Sequence, residues 1–115
     1  MSENPIDLAV FAELKATTGT EFVVELVDTF LEEVPGMLAE LHAARAEDNA
    51  DRFRRAAHSL KSNANIFGAS RLAAHARELE LKGLDAGRAH GEAALAALEA
   101  ALAAAAAALK ELRNG

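Results

Sequence analysis

The stretch that decides the fold runs Asp51-Arg52-Phe53-Arg54-Arg55-Ala56-Ala57-His58-Ser59-Leu60-Lys61-Ser62-Asn63-Ala64-Asn65-Ile66-Phe67-Gly68. Its apolar residues recur at helical spacing. At about 100° per residue, Phe53, Ala56, Leu60, Ala64 and Phe67 share one side of a helix predicted from about Asp51 to Phe67. His58 points away from that side. Arg54, Arg55, Lys61, Ser62 and Asn65 surround it on the outer face, because residues three and four apart on a helix are surface neighbours. An exposed imidazole is thus ringed by cations and by short polar side chains that leave room for something to dock.

Working outward, helix formers dominate almost everywhere and runs of alternating β-branched residues are missing. Pro5 suits a helix start, and a short helix is expected from Ile6 to Lys15. Thr18 and Glu21 have the spacing of a capping box that would open a second helix. Val23, Leu26, Val27, Phe30, Val34, Leu38 and Leu41 give that helix a core-facing stripe, with Pro35-Gly36 expected to kink or interrupt it. Ser70 is the expected N-cap of a fourth helix ending near Lys82 or Gly83, and Gly87 to Gly91, with His90, reads as a loop. Leu95, Leu98, Leu102, Ala105, Leu109 and Leu112 then form the narrow seam of a long last helix. Short connections favour antiparallel neighbours. The expected fold is all-α: an antiparallel up-and-down four-helix bundle with a short extra N-terminal helix, in a single domain over residues 1–115.

Composition narrows the function. About half of the 115 residues are apolar (51%), ordinary for a folded globule, and cysteine is absent, which removes thiolate and disulfide chemistry. The net charge of −6 argues against a nucleic-acid partner. Its distribution is uneven: −9 over residues 1–50, +5 over 51–77 and −2 over 78–115. The basic segment, which can attract an acidic surface, is the one that holds His58. Acids at Glu3 and Asp7 speak against a secretory leader. The longest apolar run, Ala100 to Leu109, is too short to cross a bilayer. A cytoplasmic, monomeric protein without a membrane or nucleic-acid partner is expected.

Imidazole is a recognised covalent nucleophile, and its ordinary pKa of ~6.5 keeps the neutral form abundant near pH 7. A phosphoryl group on His58 would find Lys61 as a point charge and Ser62 or Asn65 as hydrogen-bond donors. His42 reads as a surface residue and His75, between Leu72 and Leu79, as a partly buried one. No pair of Glu-x-x-His spacings suggests a bundle metal site, and no glycine-rich phosphate loop suggests an ATP site.

The run Ala57-His58-Ser59-Leu60-Lys61-Ser62-Asn63-Ala64-Asn65-Ile66-Phe67-Gly68-Ala69, followed by Leu72 and by Leu79-Glu80, resembles the signature of histidine phosphotransfer (HPt) domains. In that family His-x-Leu-Lys and a small residue are followed, ten residues after the histidine, by glycine, and then by a helix ending in Leu-Glu or Leu-Gln. The resemblance covers about two dozen residues. It implies that His58 accepts a phosphoryl group from a receiver-domain phospho-aspartate and passes it to another receiver aspartate. Lys61 would steady the phosphate, Gly68 would allow tight packing, and Arg54 and Arg55 would help attract the partner. Ser62 stands where glycine is common. Glu80 stands where some members carry glutamine, and a carboxylate there favours a bond to the imidazole or a structural role. The implied partners are receiver domains of a hybrid sensor kinase or response regulator. Mg²⁺ is expected on the receiver, and no cofactor on this phosphocarrier, which is not expected to be an enzyme. The alternative is a phosphate-independent helical adaptor that binds an acidic partner through the same basic face.

Overall fold

The structure, a computed structural model, describes residues 5–83 and 88–114. Five helices account for nearly all of them: α1 Leu8–Thr18, α2 Thr20–Ala46, α3 Ala50–Ile66, α4 Ser70–Lys82 and α5 Arg88–Asn114. No strand occurs among the described residues. Helices α2, α3, α4 and α5 pack in a closed circuit, each against the next and α5 back against α2, while α1 lies on α2. The directions alternate. Glu40 meets Arg52 and Phe30 meets Phe67 across α2 and α3, His58 meets Glu80 across α3 and α4, and Asp28 meets Arg113 while Arg45 meets Glu92 across α2 and α5. The up-and-down bundle with its extra helix is therefore the observed architecture.

The core is built from the stripes that the spacing defines. Val23, Val27, Phe30 and Leu41 of α2, Phe53, Ala57, Leu60 and Ala64 of α3, and Leu95, Leu98, Leu102, Ala105 and Leu109 of α5 are buried in one cluster. Leu26, Val34, Leu38 and Leu112 pack at its edge. Alanines on α3 and α4 let the two backbones approach, and Phe67 closes the end of α3 against Phe30 with ring centroids 5.3 Å apart. Helix α5 also corrects the apolar-run argument. Glu92–Asn114 is long and apolar enough, by length and composition, to cross a membrane, because alanine counts as apolar along its whole length. Its leucine seam is nevertheless buried against the other helices, as in the core helix of a bundle.

Local differences from the expected boundaries have local causes. Helix α1 starts at Leu8 because Asp7 caps it, its Oδ1 accepting from Ala9 N (3.0 Å) and Val10 N (3.4 Å), and it ends at Thr18, where Gly19 N donates to Lys15 O (2.8 Å). Thr18 does not cap α2. Its hydroxyl donates to Leu14 O (2.8 Å) within α1, and Gly19 alone, at φ +93°, joins the helices. Pro35 and Gly36 do not interrupt α2; both are exposed, so the proline ring lies on the outer face of the helix. Ser70 is the first residue of α4 rather than its cap, since Ala69 already occupies the cap position in a three-residue connection. Helix α5 is formed from Arg88, so His90 falls within it; Gly87 lies outside the described residues.

Candidate functional site

Asn49 opens α3, its side chain accepting from Arg52 N (3.0 Å), and fixes the register that presents His58. Of the two alanines that precede His58, Ala57 is fully buried, whereas Ala56 is only half-buried. The buried stripe is thereby centred about 40° away from the line opposite His58. This rotation tips the imidazole toward α4. The connection Phe67-Gly68-Ala69 folds α4 back along α3, so His58 and Glu80, eleven positions either side of Ala69, come level.

At that level the side chains form a triad. Glu80 Oε2 lies 2.6 Å from His58 Nδ1, and Glu80 Oε1 accepts from Lys61 Nζ at 2.7 Å. The carboxylate is sheltered (side chain 16% exposed), Lys61 partly so (24%), and the imidazole stands out at 56%. The Lys61 ammonium, helped by the His58 bond and opposed by desolvation, holds the Glu80 carboxyl below the usual carboxylate range. Glu80 is therefore ionised near neutral pH and can only accept. In the neutral imidazole the proton of the 2.6 Å contact therefore sits on Nδ1, and Nε2 is the nitrogen that keeps its lone pair.

The other residues singled out in the sequence are placed less uniformly. Ser62 and Asn65 are exposed one and two turns further along α3. Arg54 and Arg55 are exposed too, but both guanidinium groups are drawn to Asp51 at the helix start, at 2.6 and 3.1 Å. Their i+3 and i+4 spacing from Asp51 was a readable signal that the basic patch is partly neutralised from within. Arg52 turns the other way and clamps α2 to α3, donating to Glu40 (2.6 and 2.8 Å) and Glu47 (2.8 Å). Arg52 lowers the pKa of Glu40, mainly through those hydrogen bonds.

Gly68 secures the lower end of the site. It adopts φ +74°, and its carbonyl accepts from Asp7 N at 2.8 Å. A Cβ there would lie 2.8 Å from Val10 Cβ and 3.2 Å from Asp7 Cβ, so only glycine lets the start of α1 dock against this turn. His42 is exposed beside Glu99, and His75 is half-buried where Pro5 and Arg71 meet α5. His42 thus shares with His58 an exposed imidazole against a carboxylate, but Glu80 is the more sheltered acid and carries Lys61 as well, which completes the triad at His58.

Comparison with known proteins bears on the family and the fold. Residues 25–112 match the Hpt domain family. Among solved structures, the crystal structure of histidine-containing phosphotransfer protein B (HptB) from Pseudomonas aeruginosa PAO1 is similar, with a TM-score of 0.87 and 30% sequence identity. The match covers 98% of this chain and 97% of that one. No curated protein sequence matches the chain.

Proposed function

Since the chain belongs to the Hpt domain family, whose members carry phosphoryl groups in phosphorelays with receiver domains, we propose that His58 is its phosphoacceptor. In this reading it takes the group from the phospho-aspartate of one receiver and hands it to the aspartate of another. It does so as a cytoplasmic, monomeric carrier rather than a kinase, one domain in extent, with Mg²⁺ held on the receiver.

The observation that carries the proposal is the 2.6 Å bond from His58 Nδ1 to Glu80 on an imidazole otherwise open to solvent. With Nδ1–H committed, Nε2 attacks phosphorus. The Nε2–P bond forms as the P–O bond to the donor aspartate breaks, and that aspartate leaves as a carboxylate. The product imidazolium keeps its Nδ1 proton, and the ionised Glu80 beside it offsets the new positive charge. Return of the phosphoryl group to a second carboxylate reverses the same bonds and needs no further proton.

Lys61 sits one turn from His58 and is held toward the site by Glu80, where its ammonium can turn to the incoming phosphoryl oxygens. Ser62 and Asn65 offer hydrogen-bond donors above the imidazole. Arg54 and Arg55 add a local positive field that Asp51 moderates.

The test is transfer itself. Purified chain is mixed with phosphorylated receiver domains and Mg²⁺, and acid-labile phosphate is followed on wild type and on His58→Gln. Label on wild type alone supports the relay. A folded wild-type chain that takes phosphate from none of a broad set of receivers overturns it and favours the adaptor.

A further inference from the structure

On the side of α4 turned away from His58, a cleft of about 280 Å³ opens between the first half of α4 and the middle of α5, with Pro5 at its edge. It exists because α5 carries alanines there. Ala97, Ala100, Ala101 and Ala104 line it opposite Leu72 and His75, and side chains that stop at Cβ leave open the space that larger ones would fill. Leu72 and Ala101 are buried and make an apolar floor, while Ala97 and His75 are half-buried and Arg71 is exposed. Charge sets this cleft apart. Acids line the clefts on the α2 side, Glu25 and Glu33 in one and Glu32, Glu33 and Glu40 in another. Among the described residues that line the α4–α5 cleft none is acidic, and Arg71 and His75 bring N–H donors to it. In a chain with 18 acids against 12 lysines and arginines, that is a local reversal of sign, and it suits an anion.

We propose that this cleft binds a small aromatic monocarboxylate, its ring system on the alanine and leucine floor and its carboxylate on Arg71 and His75. The combination of an apolar cavity with a few convergent polar groups is that of a small-molecule site. A guanidinium matches a planar carboxylate through two parallel hydrogen bonds, and one cation balances a monoanion better than a phosphate dianion. The volume sets the size. It exceeds the roughly 150 Å³ that holds a benzene in a dry apolar cavity, and a fused pair of rings fits. The site does not rest on the relay. Arg71 and Glu80 are nine residues apart on α4 and, at about 100° per residue, lie on opposite sides of it, so a ligand in the cleft leaves His58 open.

The test is a titration of the full chain with 1-naphthoate, followed by amide NMR. Saturable binding is expected with a Kd of about 1 mM or below, the scale for a ligand of this size. The largest shifts should fall on Arg71, Leu72, His75, Ala97 and Ala101. Ala97→Leu, which fills the cleft, should abolish binding. Arg71→Gln should weaken it about tenfold or more, as should replacing the ligand by its uncharged counterpart 1-naphthalenemethanol. Arg71 is exposed, so its substitution tests the site even where Ala97→Leu disturbs packing. Absence of saturable binding, shifts that map to the α2 clefts, or affinity unchanged in Arg71→Gln overturns the proposal. Inorganic phosphate or the alcohol binding as tightly as naphthoate overturns it too. Binding seen only after removal of residues 1–4, or only as a dimer dissociates, would assign the cleft to the chain's own first residues or to a second copy instead.

Discussion

Glu80 joins His58 and Lys61 through its two carboxylate oxygens, at 2.6 Å to Nδ1 and 2.7 Å to Nζ. One side chain from α4 thus sets both the protonated nitrogen of the imidazole and the position of the nearest cation. Glu80→Gln retains an acceptor but not its charge. Neutral hydrogen bonds are about half as strong as charge-assisted ones, so transfer through His58 should slow by about tenfold. Glu80→Ala should slow it further and raise the share of the Nδ1 lone-pair tautomer in nitrogen NMR. Equal rates in all three proteins would remove Glu80 from the mechanism.

The two depressed carboxyls, Glu80 beside Lys61 and Glu40 beside Arg52, link stability to pH. A carboxyl whose pKa is lowered by folding binds fewer protons folded than unfolded across that interval. Its contribution is complete above the ordinary carboxylate pKa of ~4.3 and is lost as pH falls through the folded value. The urea midpoint should therefore drop from about pH 5 downward, with a shallower slope in Glu40→Gln and Glu80→Gln. An unchanged slope in both variants would contradict this assignment.

Leu60 is fully buried on α3 between His58 and Lys61. Leu60→Ala should cost about 2–5 kcal/mol in urea unfolding, the range for a large-to-small change in a packed core. A loss well under 1 kcal/mol would mean that the interior is looser than its packing implies.

Gly68→Ala meets two penalties at once, the left-handed backbone and the Val10 side chain. A cost of about 1–3 kcal/mol is expected from the backbone conformation alone. Val10→Ala should recover part of the loss in the double mutant, since it shortens the obstructing side chain but leaves φ as it is. Strict additivity of the two changes would show that they do not meet.

Periodicity carries most of the fold. The leucines of α5 and the Phe53, Leu60, Ala64 and Phe67 stripe of α3 could be assigned to the core from spacing alone, because burial follows the helical repeat. Helix ends were less legible. Thr18 and Ser70 have side chains suited to capping, yet a one-residue and a three-residue connection left those positions inside helices. At the site, the exposure of His58 follows from its own helix, whereas the Glu80 bridge depends on how α4 folds back. The self-neutralisation of Arg54 and Arg55 was local and readable; the Arg52 clamp to Glu40 crosses a turn and was not. The cleft at Arg71 and His75 likewise exists only once α4 packs on α5.

The central claim, that Glu80 holds the proton on Nδ1 so that Nε2 of His58 takes the phosphoryl group, is tested most directly by nitrogen and phosphorus NMR of the protein phosphorylated by a receiver. The account requires a single phosphohistidine, at residue 58, with phosphorus coupled to Nε2 and the proton retained on Nδ1. Phosphorus on Nδ1, or on His42, His75 or His90, would contradict it.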